Sequence, residues 1–231
     1  NGGFEWRAED SILAAADFVT FTTSQLASHF KLAGRDIEIL GKAVDYSAFS
    51  LVPPVNDNTP DRILCISNLH PRKRLGDLIP VLQIIRRRVP TAEMVIAGGG
   101  NAQEMERLRQ LAASSSLDDA FHLVGTRQDI PALIEHSRVI VLPSACEGVP
   151  TSLLEAMSAG RPVVTTDAGH VASIIEEGHE GFLVKVGDLE SMADRITRIL
   201  LDRRMAVSMG HAGHVRAANH DVPAIAARLF A

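Results

Sequence analysis

From residue 62 onward, short apolar runs alternate with longer stretches in which apolar residues recur at helical spacing. The first such stripe comprises Leu75, Leu78, Ile79, Leu82 and Ile85. Alternation of this kind is typical of βαβ units and predicts an α/β fold, a doubly wound, Rossmann-like parallel sheet of about six strands. The predicted strands are 62–66, 93–97, 121–124, 139–142, 163–166 and 181–184, and further helices are predicted around 105–112, 151–159, 189–200 and 223–230.

The first fifty residues show a second, shorter set of elements. We predict helices at 8–16 and 24–32 and strands at 17–22 and 37–40. Residues 51–61 (LVPPVNDNTPD) contain three prolines, a composition that interrupts regular structure and suits a linker. Because the chain begins with Asn1 and changes pattern here, we expect a fragment. Residues 1–50 would be the last βα elements of a preceding domain, and 62–231 one doubly wound domain.

The composition restricts the possible partners. Apolar residues make up 46% and charged residues 22% of the chain, as in globular proteins. With 23 basic and 28 acidic residues the net charge is −5, so we expect no nucleic-acid partner, and any anion must be bound locally. Two cysteines without CxxC spacing, and the lack of a signal segment or a long apolar run, lead us to expect a soluble, cytoplasmic protein.

In open α/β sheets, ligands bind beyond the carboxyl ends of the strands. The most informative junction is PSACEGVPTSLLEAM, residues 143–157, which follows the fourth predicted strand. Pro150 suits the first helical turn, and the amides near 149–152 would form an anion site at the helix N-terminus. Glu147 and Glu155 would repel a phosphate, so they are better acceptors for sugar or ribose hydroxyls. Alternatively, Glu147 is a loop charge and Glu155 a helix-dipole partner.

Four other junctions carry polar or glycine-rich residues. Residues 67–74 (SNLHPRKR) supply three cations, of which Lys73 is the best candidate for a phosphate, although a solvated basic loop is the alternative. Residues 98–100 (GGG) allow close approach of a ligand but do not continue as GxGxxG. Residues 125–127 could meet a base edge, and 167–170 form a tight turn. Nine histidines lack metal-site spacing, and we expect no metal.

The segments ISNLHPRKR, MVIAGGG, FHLVGTRQDIPALI, VIVLPSACEGVPTSLLEAMSAGRPVVTTDAGH and EGFLV follow one another in this order. Together, over about residues 12–205, they resemble the carboxy-terminal, nucleotide-sugar-binding half of the retaining glycosyltransferases of family 4 (group 1). The spacing Glu147-x7-Glu155 is the specific part of the resemblance. Such enzymes have a GT-B fold, in which two Rossmann-like domains face each other and the second binds the donor.

The resemblance implies roles for individual residues. Lys73 would contact the donor diphosphate and Glu147 the sugar hydroxyls, as the catalytic pair, while Glu155 would hold the ribose. It also implies that no cofactor or metal is needed and that the donor is a UDP- or GDP-linked sugar. The further donor-binding residues would be Asn68, Arg72, Gly99, Gly125, Thr126, Gly148, Val149, Pro150, Thr151, Gly169 and His170.

Departures from the family pattern leave two hypotheses open. The family usually has Arg where Asn68 stands, Gly where His170 stands and Glu where Ser173 stands. One hypothesis is transfer of a sugar to an unknown acceptor, such as a glycan or lipid-linked saccharide; the other is an inactive nucleotide-sugar-binding or regulatory module. The glycine-rich loop and histidine of the first domain are missing, so we expect donor binding without efficient transfer, and membrane association only through that domain.

Overall fold

The computed structural model describes residues 19–22, 28 and 37–229. A two-stranded parallel pair is followed by a six-stranded sheet, and the six strands predicted from residue 62 onward are all confirmed. The strands are β1 Val19–Phe21, β2 Ile37–Ile39, β3 Arg62–Ile66, β4 Glu93–Ala97, β5 Phe121–Gly125, β6 Val139–Leu142, β7 Val163–Thr166 and β8 Gly181–Val184.

The six strands are parallel and ordered β5-β4-β3-β6-β7-β8. The chain therefore places β4 and β5 on one side of β3 and then β6, β7 and β8 on the other side. This is the doubly wound Rossmann arrangement. The neighbours β3 and β6 pair Ile63 with Val139 and Leu64 with Ile140. In such sheets, ligands bind in a crevice at the carboxyl edge where the strand order reverses, which here lies between β3 and β6.

Helices cover both faces of this sheet, so its central strands are buried on both sides and consist of continuous apolar residues. Leu153, Leu154 and Met157 have no exposed surface, as the helical spacing predicts. The helices are α1 Tyr46–Ser50, α2 Leu78–Arg86, α3 Ala102–Ser114, α4 Ile130–Glu135, α5 Thr151–Ser158, α6 Leu189–Leu201, α7 Arg203–Ala217 and α8 Val222–Leu229.

Helix α7 is a helix of fifteen residues that the apolar pattern did not predict. Its contact face uses small residues in place of a leucine stripe. A Cβ added to Gly210 would overlap the carbonyl oxygen of Gly160, and one added to Gly213 would lie 3.4 Å from the Met157 side chain. Close packing of this kind buries the helix with Met209 as the one large apolar side chain among its buried residues, so the pattern carried no helical period. The short helices α1 and α4 were also missed.

The N-terminal strands are found at Val19–Phe21 and Ile37–Ile39, within the predicted ranges, and they form the separate parallel pair. The helices predicted at 8–16 and 24–32 lie outside the described residues. The assignment of residues 1–50 to a preceding domain stays a prediction.

The proline-rich segment 51–61 contains no helix or strand, yet it packs on the sheet domain. Val52 and Val55 are buried in the main hydrophobic core. Arg161, 1% exposed, donates to five backbone carbonyls, among them that of Pro53 at 2.8 Å. The segment is thus fixed to the domain that follows it, by apolar burial and by a fully hydrogen-bonded buried guanidinium.

Candidate functional site

The loops that leave β3 and β6 meet at the crevice between these strands. Lys73, on the first loop, and Glu147, on the second, form an ion pair of 2.5 Å between Nζ and Oε1. Their side chains are only 13% and 8% exposed. The backbone joins the loops as well, since the Ala145 amide donates to the Arg72 carbonyl at 2.8 Å. Two groups that are 74 residues apart in sequence therefore share one partly desolvated position.

Local turns hold Lys73 in place. A 3₁₀ turn at Pro71–Lys73 begins with the proline, whose fixed φ suits the start of a helical turn. The His70 imidazole Nδ1 accepts from the Arg72 amide at 3.2 Å and caps the turn. Arg74 then takes a left-handed conformation with φ of 51° and ends it. The sequence PRKR thus forms a rigid bend that directs Lys73 to Glu147 and leaves the Arg72 side chain exposed.

The loop that follows β7 supports the loop that carries Glu147. Gly169 has φ of +70°, and a Cβ at this position would overlap the Glu147 carbonyl oxygen. The Thr166 hydroxyl donates to the Ser144 carbonyl at 2.5 Å. His170 follows, with its carbonyl accepting from the Ser173 hydroxyl at 2.7 Å. Gly169 is therefore required by both its backbone conformation and its close approach.

The glycine run after β4 lies against the loop that follows β3. A Cβ on Gly98 would overlap the Ser67 carbonyl oxygen, and one on Gly99 would overlap the Thr126 hydroxyl. The Gly98 amide donates to the Gly125 carbonyl at 2.8 Å. Gly125 has φ of +70° with open space beside it. Exposed Asn68 belongs to the same group of loops, so the predicted residues on this side of the crevice are brought together.

Helix α5 begins at Thr151 and ends at Ser158, one residue short of the predicted range. Pro150 precedes the helix as its N-cap, where the prediction placed it in the first turn, and no side chain caps this end. Among the described residues, none accepts from the amides of Thr151 or Ser152. These amides and the helix dipole leave a positive end beside Gly148 and Val149, next to Glu147.

Glu155 lies on the second turn of α5 and is half-buried. Burial raises the pKa of its carboxyl group above the ordinary value. No side chain in the described part of the chain donates to it, and it forms no hydrogen bond or ion pair with Lys73 or Glu147. A carboxylate without a cation is suited to accept hydrogen bonds from neutral hydroxyls.

Two buried groups at this site were not predicted. Cys65 lies within β3 and is fully buried; burial raises the pKa of its thiol to about 12, with smaller opposing effects of Lys73 and Glu147. It is therefore a neutral thiol and no nucleophile. Ser144 is fully buried, and its hydroxyl has no hydrogen-bond partner. Neither residue carries a spacing that would have marked it in the sequence.

Two features are absent from residues 19–22, 28 and 37–229. No group of three or more His, Cys, Asp or Glu residues there is placed to hold a metal ion. No helix in that part is long and apolar enough to cross a membrane.

Comparison with known proteins identifies the family. The family model described as glycosyl transferases group 1 matches residues 60–202, which include every loop of the crevice. The chain belongs to the group 1 glycosyltransferases. Among curated members, a GDP-mannose-dependent α-(1-6)-phosphatidylinositol monomannoside mannosyltransferase from Mycobacterium tuberculosis is 31% identical over 217 residues. The match covers 85% of this group 1 chain and 56% of that relative, so the chain spans about half its length.

Solved structures share the fold of this group 1 chain. Sucrose-phosphate synthase from Thermosynechococcus elongatus gives a TM-score of 0.83 at 23% identity and is matched over 97% of this chain and 59% of its own. Anabaena HepE, solved with UDP and glucose, gives a TM-score of 0.80 at 20% identity, and the match covers 96% of this chain and 66% of that one. The predicted fold class, half of a GT-B arrangement, is confirmed.

Proposed function

We propose that this chain is the donor-binding part of a retaining glycosyltransferase that takes a sugar from a nucleotide-diphosphate sugar. The observation that carries the proposal is the buried Lys73–Glu147 ion pair at the crevice, directly beside the uncapped N-terminus of α5. A cation and free amides suit a diphosphate, and a carboxylate suits hydroxyl groups. The arrangement therefore matches the diphosphate and the sugar of a nucleotide-diphosphate sugar.

In the proposed reaction, negative charge develops on the diphosphate as the bond to the sugar breaks. Lys73 and the amides at the start of α5 stabilise that charge, and because they are already positioned they need little reorganisation. Glu147 accepts from sugar hydroxyls and fixes the sugar relative to the diphosphate. Its ion pair with Lys73 holds both side chains at the site until the donor binds.

Glu155 is proposed to hold the ribose. Its raised pKa reflects burial without a cation, and hydrogen bonds from two ribose hydroxyls would favour the charged form. Donor binding would thus lower the pKa of Glu155 and release a proton at mildly acidic pH. Affinity for the nucleotide should fall as the pH drops through the Glu155 titration, and Glu155→Gln should flatten this dependence.

The choice of donors to test comes from the relatives. The 31% identical mycobacterial protein is named for GDP-mannose, and HepE was solved with UDP and glucose. We therefore propose a GDP- or UDP-linked hexose, used without a metal, and an acceptor such as a glycan or lipid-linked saccharide that a facing domain selects. Transfer by the chain alone should be inefficient.

A calorimetric titration with GDP, UDP and ADP in EDTA tests the proposal. Lys73→Ala should weaken diphosphate binding at least about tenfold and leave nucleoside binding unchanged, because it removes one charge-assisted hydrogen bond. Arg109→Ala, which removes an exposed cation elsewhere, is the control. An equal loss for nucleoside and diphosphate would contradict the phosphate role of Lys73.

A second candidate function is an inactive nucleotide-sugar-binding or regulatory module. It is favoured by the exposed Asn68 in the loop after β3, where the family usually has Arg. Arg72 in the same loop is exposed and forms no ion pair with a described residue, so it is the proposed substitute cation. A large gain in donor affinity in Asn68→Arg would indicate a decayed site. No gain in Asn68→Arg, with a loss in Arg72→Ala, would indicate replacement.

A further inference from the structure

A wide, open surface cavity lined by arginines lies at the edge where the strands of the sheet begin. Its volume is about 760 Å³, and its lining includes Arg88, Arg198, Arg203 and Arg204 with Asp57 and Asp202; we call it the arginine cavity. Helices α2 and α6 return to this edge, and α7 starts from it. The candidate donor site is at the opposite edge, so strands of four to five residues, about 15 Å, separate the two.

The guanidinium groups of the arginine cavity are not neutralised by the protein. The side chains of Arg88 and Arg204 are exposed and make no hydrogen bond or ion pair with a described residue. Arg203 donates to the backbone carbonyl of Asp57, and Arg198 lies over the Phe182 ring, 5.3 Å from its centroid. None of these four arginines pairs with a carboxylate in the described part of the chain.

The two carboxylates of the lining do not neutralise the four arginines. The Asp202 side chain accepts from the Met205 amide at 2.9 Å and caps α7. Asp57 forms no ion pair with a described residue. Four cations against two carboxylates leave two uncompensated positive charges in one cavity, in a chain whose net charge is −5.

A buried arginine lies near this cavity. Arg138 is 1% exposed, pairs with Asp61 at 3.2 Å, and has an Nη2 atom without any hydrogen-bond partner. Burial, and next the positive charge of Arg203, lower the pKa of Arg138. Buried guanidinium nitrogens are normally paired, and like charges so close repel each other. An anion beside Arg203 would relieve this repulsion.

We propose that the arginine cavity is an anion-binding site for a ligand that bears a phosphate group. Guanidinium groups bind phosphate oxygens in bidentate fashion, and a phosphate monoester carries about −1.5 to −2 charges at pH 7, close to the two that are uncompensated here. The cavity is larger than inorganic phosphate requires, so it can accept a phosphorylated molecule or a phosphate headgroup of a lipid. The proposal does not depend on the function proposed for the opposite edge.

Calorimetry with inorganic phosphate and pyrophosphate at physiological ionic strength tests the site on the full chain. The double variant Arg88→Gln/Arg204→Gln should lose roughly a hundredfold in affinity, about tenfold for each charge-assisted hydrogen bond. Both side chains are exposed and unpaired, so the fold should be retained, and an unchanged circular-dichroism spectrum and urea-unfolding midpoint would verify this. The matched control Arg87→Gln/Arg109→Gln removes the same charge outside the lining, and Lys73→Ala removes phosphate binding at the other edge.

The source of the phosphate is distinguished by vesicles of phosphatidylcholine with and without phosphatidic acid. Cavity-dependent binding of pyrophosphate alone supports a soluble phosphorylated ligand, and cavity-dependent binding of phosphatidic acid vesicles alone supports a lipid headgroup. An equal loss of phosphate and pyrophosphate affinity in both double variants would overturn the proposal, because it would show non-specific attraction to positive charge. A loss of affinity for these probes only in Lys73→Ala would overturn the proposal as well. So would the absence of binding by any probe.

Discussion

The contact between Gly169 and the Glu147 carbonyl makes a sharp prediction for Gly169→Ala. The added Cβ would overlap that oxygen, whereas a carbon and a carbonyl oxygen ordinarily approach no closer than about 3.3 Å. The loop that carries Glu147 must therefore move by about 1 Å or more. Glu147 would then lose its position relative to Lys73, to which it is bonded at 2.5 Å.

The expected magnitudes follow from two separate effects. A left-handed backbone conformation, here φ of +70°, costs an alanine about 1 to 2 kcal/mol. The displaced loop adds about 1 to 3 kcal/mol, as for overpacking elsewhere. A misplacement of about 1 Å can also lower the rate or donor affinity about a hundredfold. Gly169→Ala should thus lose affinity for the nucleotide sugar much more than for the nucleotide.

Gly178→Ala is the matched control. Gly178 has φ of +80° but no atom near its added Cβ, so it isolates the backbone cost without any displacement. Urea unfolding should give a fall of about 1 to 2 kcal/mol for Gly178→Ala and about 2 to 5 kcal/mol for Gly169→Ala.

The exposed thiol of Cys146, next to Glu147, reports loop movement through its labelling rate, while buried Cys65 is protected. Equal stability losses in the two glycine variants, with an unchanged Cys146 labelling rate in Gly169→Ala, would refute the argument.

Three further predictions concern stability. Because burial raises the pKa of Glu155, the stability that this group contributes is present at low pH and is lost as the pH rises through its pKa in the folded state. Glu155→Gln should therefore raise the free energy of unfolding at pH 7 by up to about 1 kcal/mol. The same variant should weaken nucleotide binding. Arg161→Lys should cost about 2 to 4 kcal/mol in urea unfolding, since three ammonium donors cannot satisfy five carbonyls; a loss under 1 kcal/mol would contradict this. Burial raises the pKa of Glu180, but hydrogen bonds from His179, a backbone amide and Arg216 outweigh burial and lower this pKa overall. The stability that Glu180 contributes should therefore be lost as the pH falls below the ordinary carboxyl range. Thermal unfolding from pH 6 to 3 should show a weaker pH dependence in Glu180→Gln than in the unchanged protein.

Local patterns predicted this fold well where burial is regular. Strands buried on both faces are short continuous apolar runs, and Leu153, Leu154 and Met157 follow the helical period of one buried face. The pattern failed for helix α7, because Gly210 and Gly213 pack through backbone contacts that leave no apolar period. It also left open how segment 51–61 is held, since its attachment depends on a distant arginine.

The sequence by itself determined the strands, the glycine and proline turns, and the residue types at each strand end, because these depend on neighbours within a few positions. Only the tertiary structure decided which strand ends meet. The order β5-β4-β3-β6-β7-β8 makes β3 and β6 neighbours and so brings Lys73 to Glu147. The same holds for the arginine cavity, whose lining comes from segment 51–61, the turn after α2, and helices α6 and α7. Pairing between distant strands and helices depends on the packing of the whole core, which no local period records.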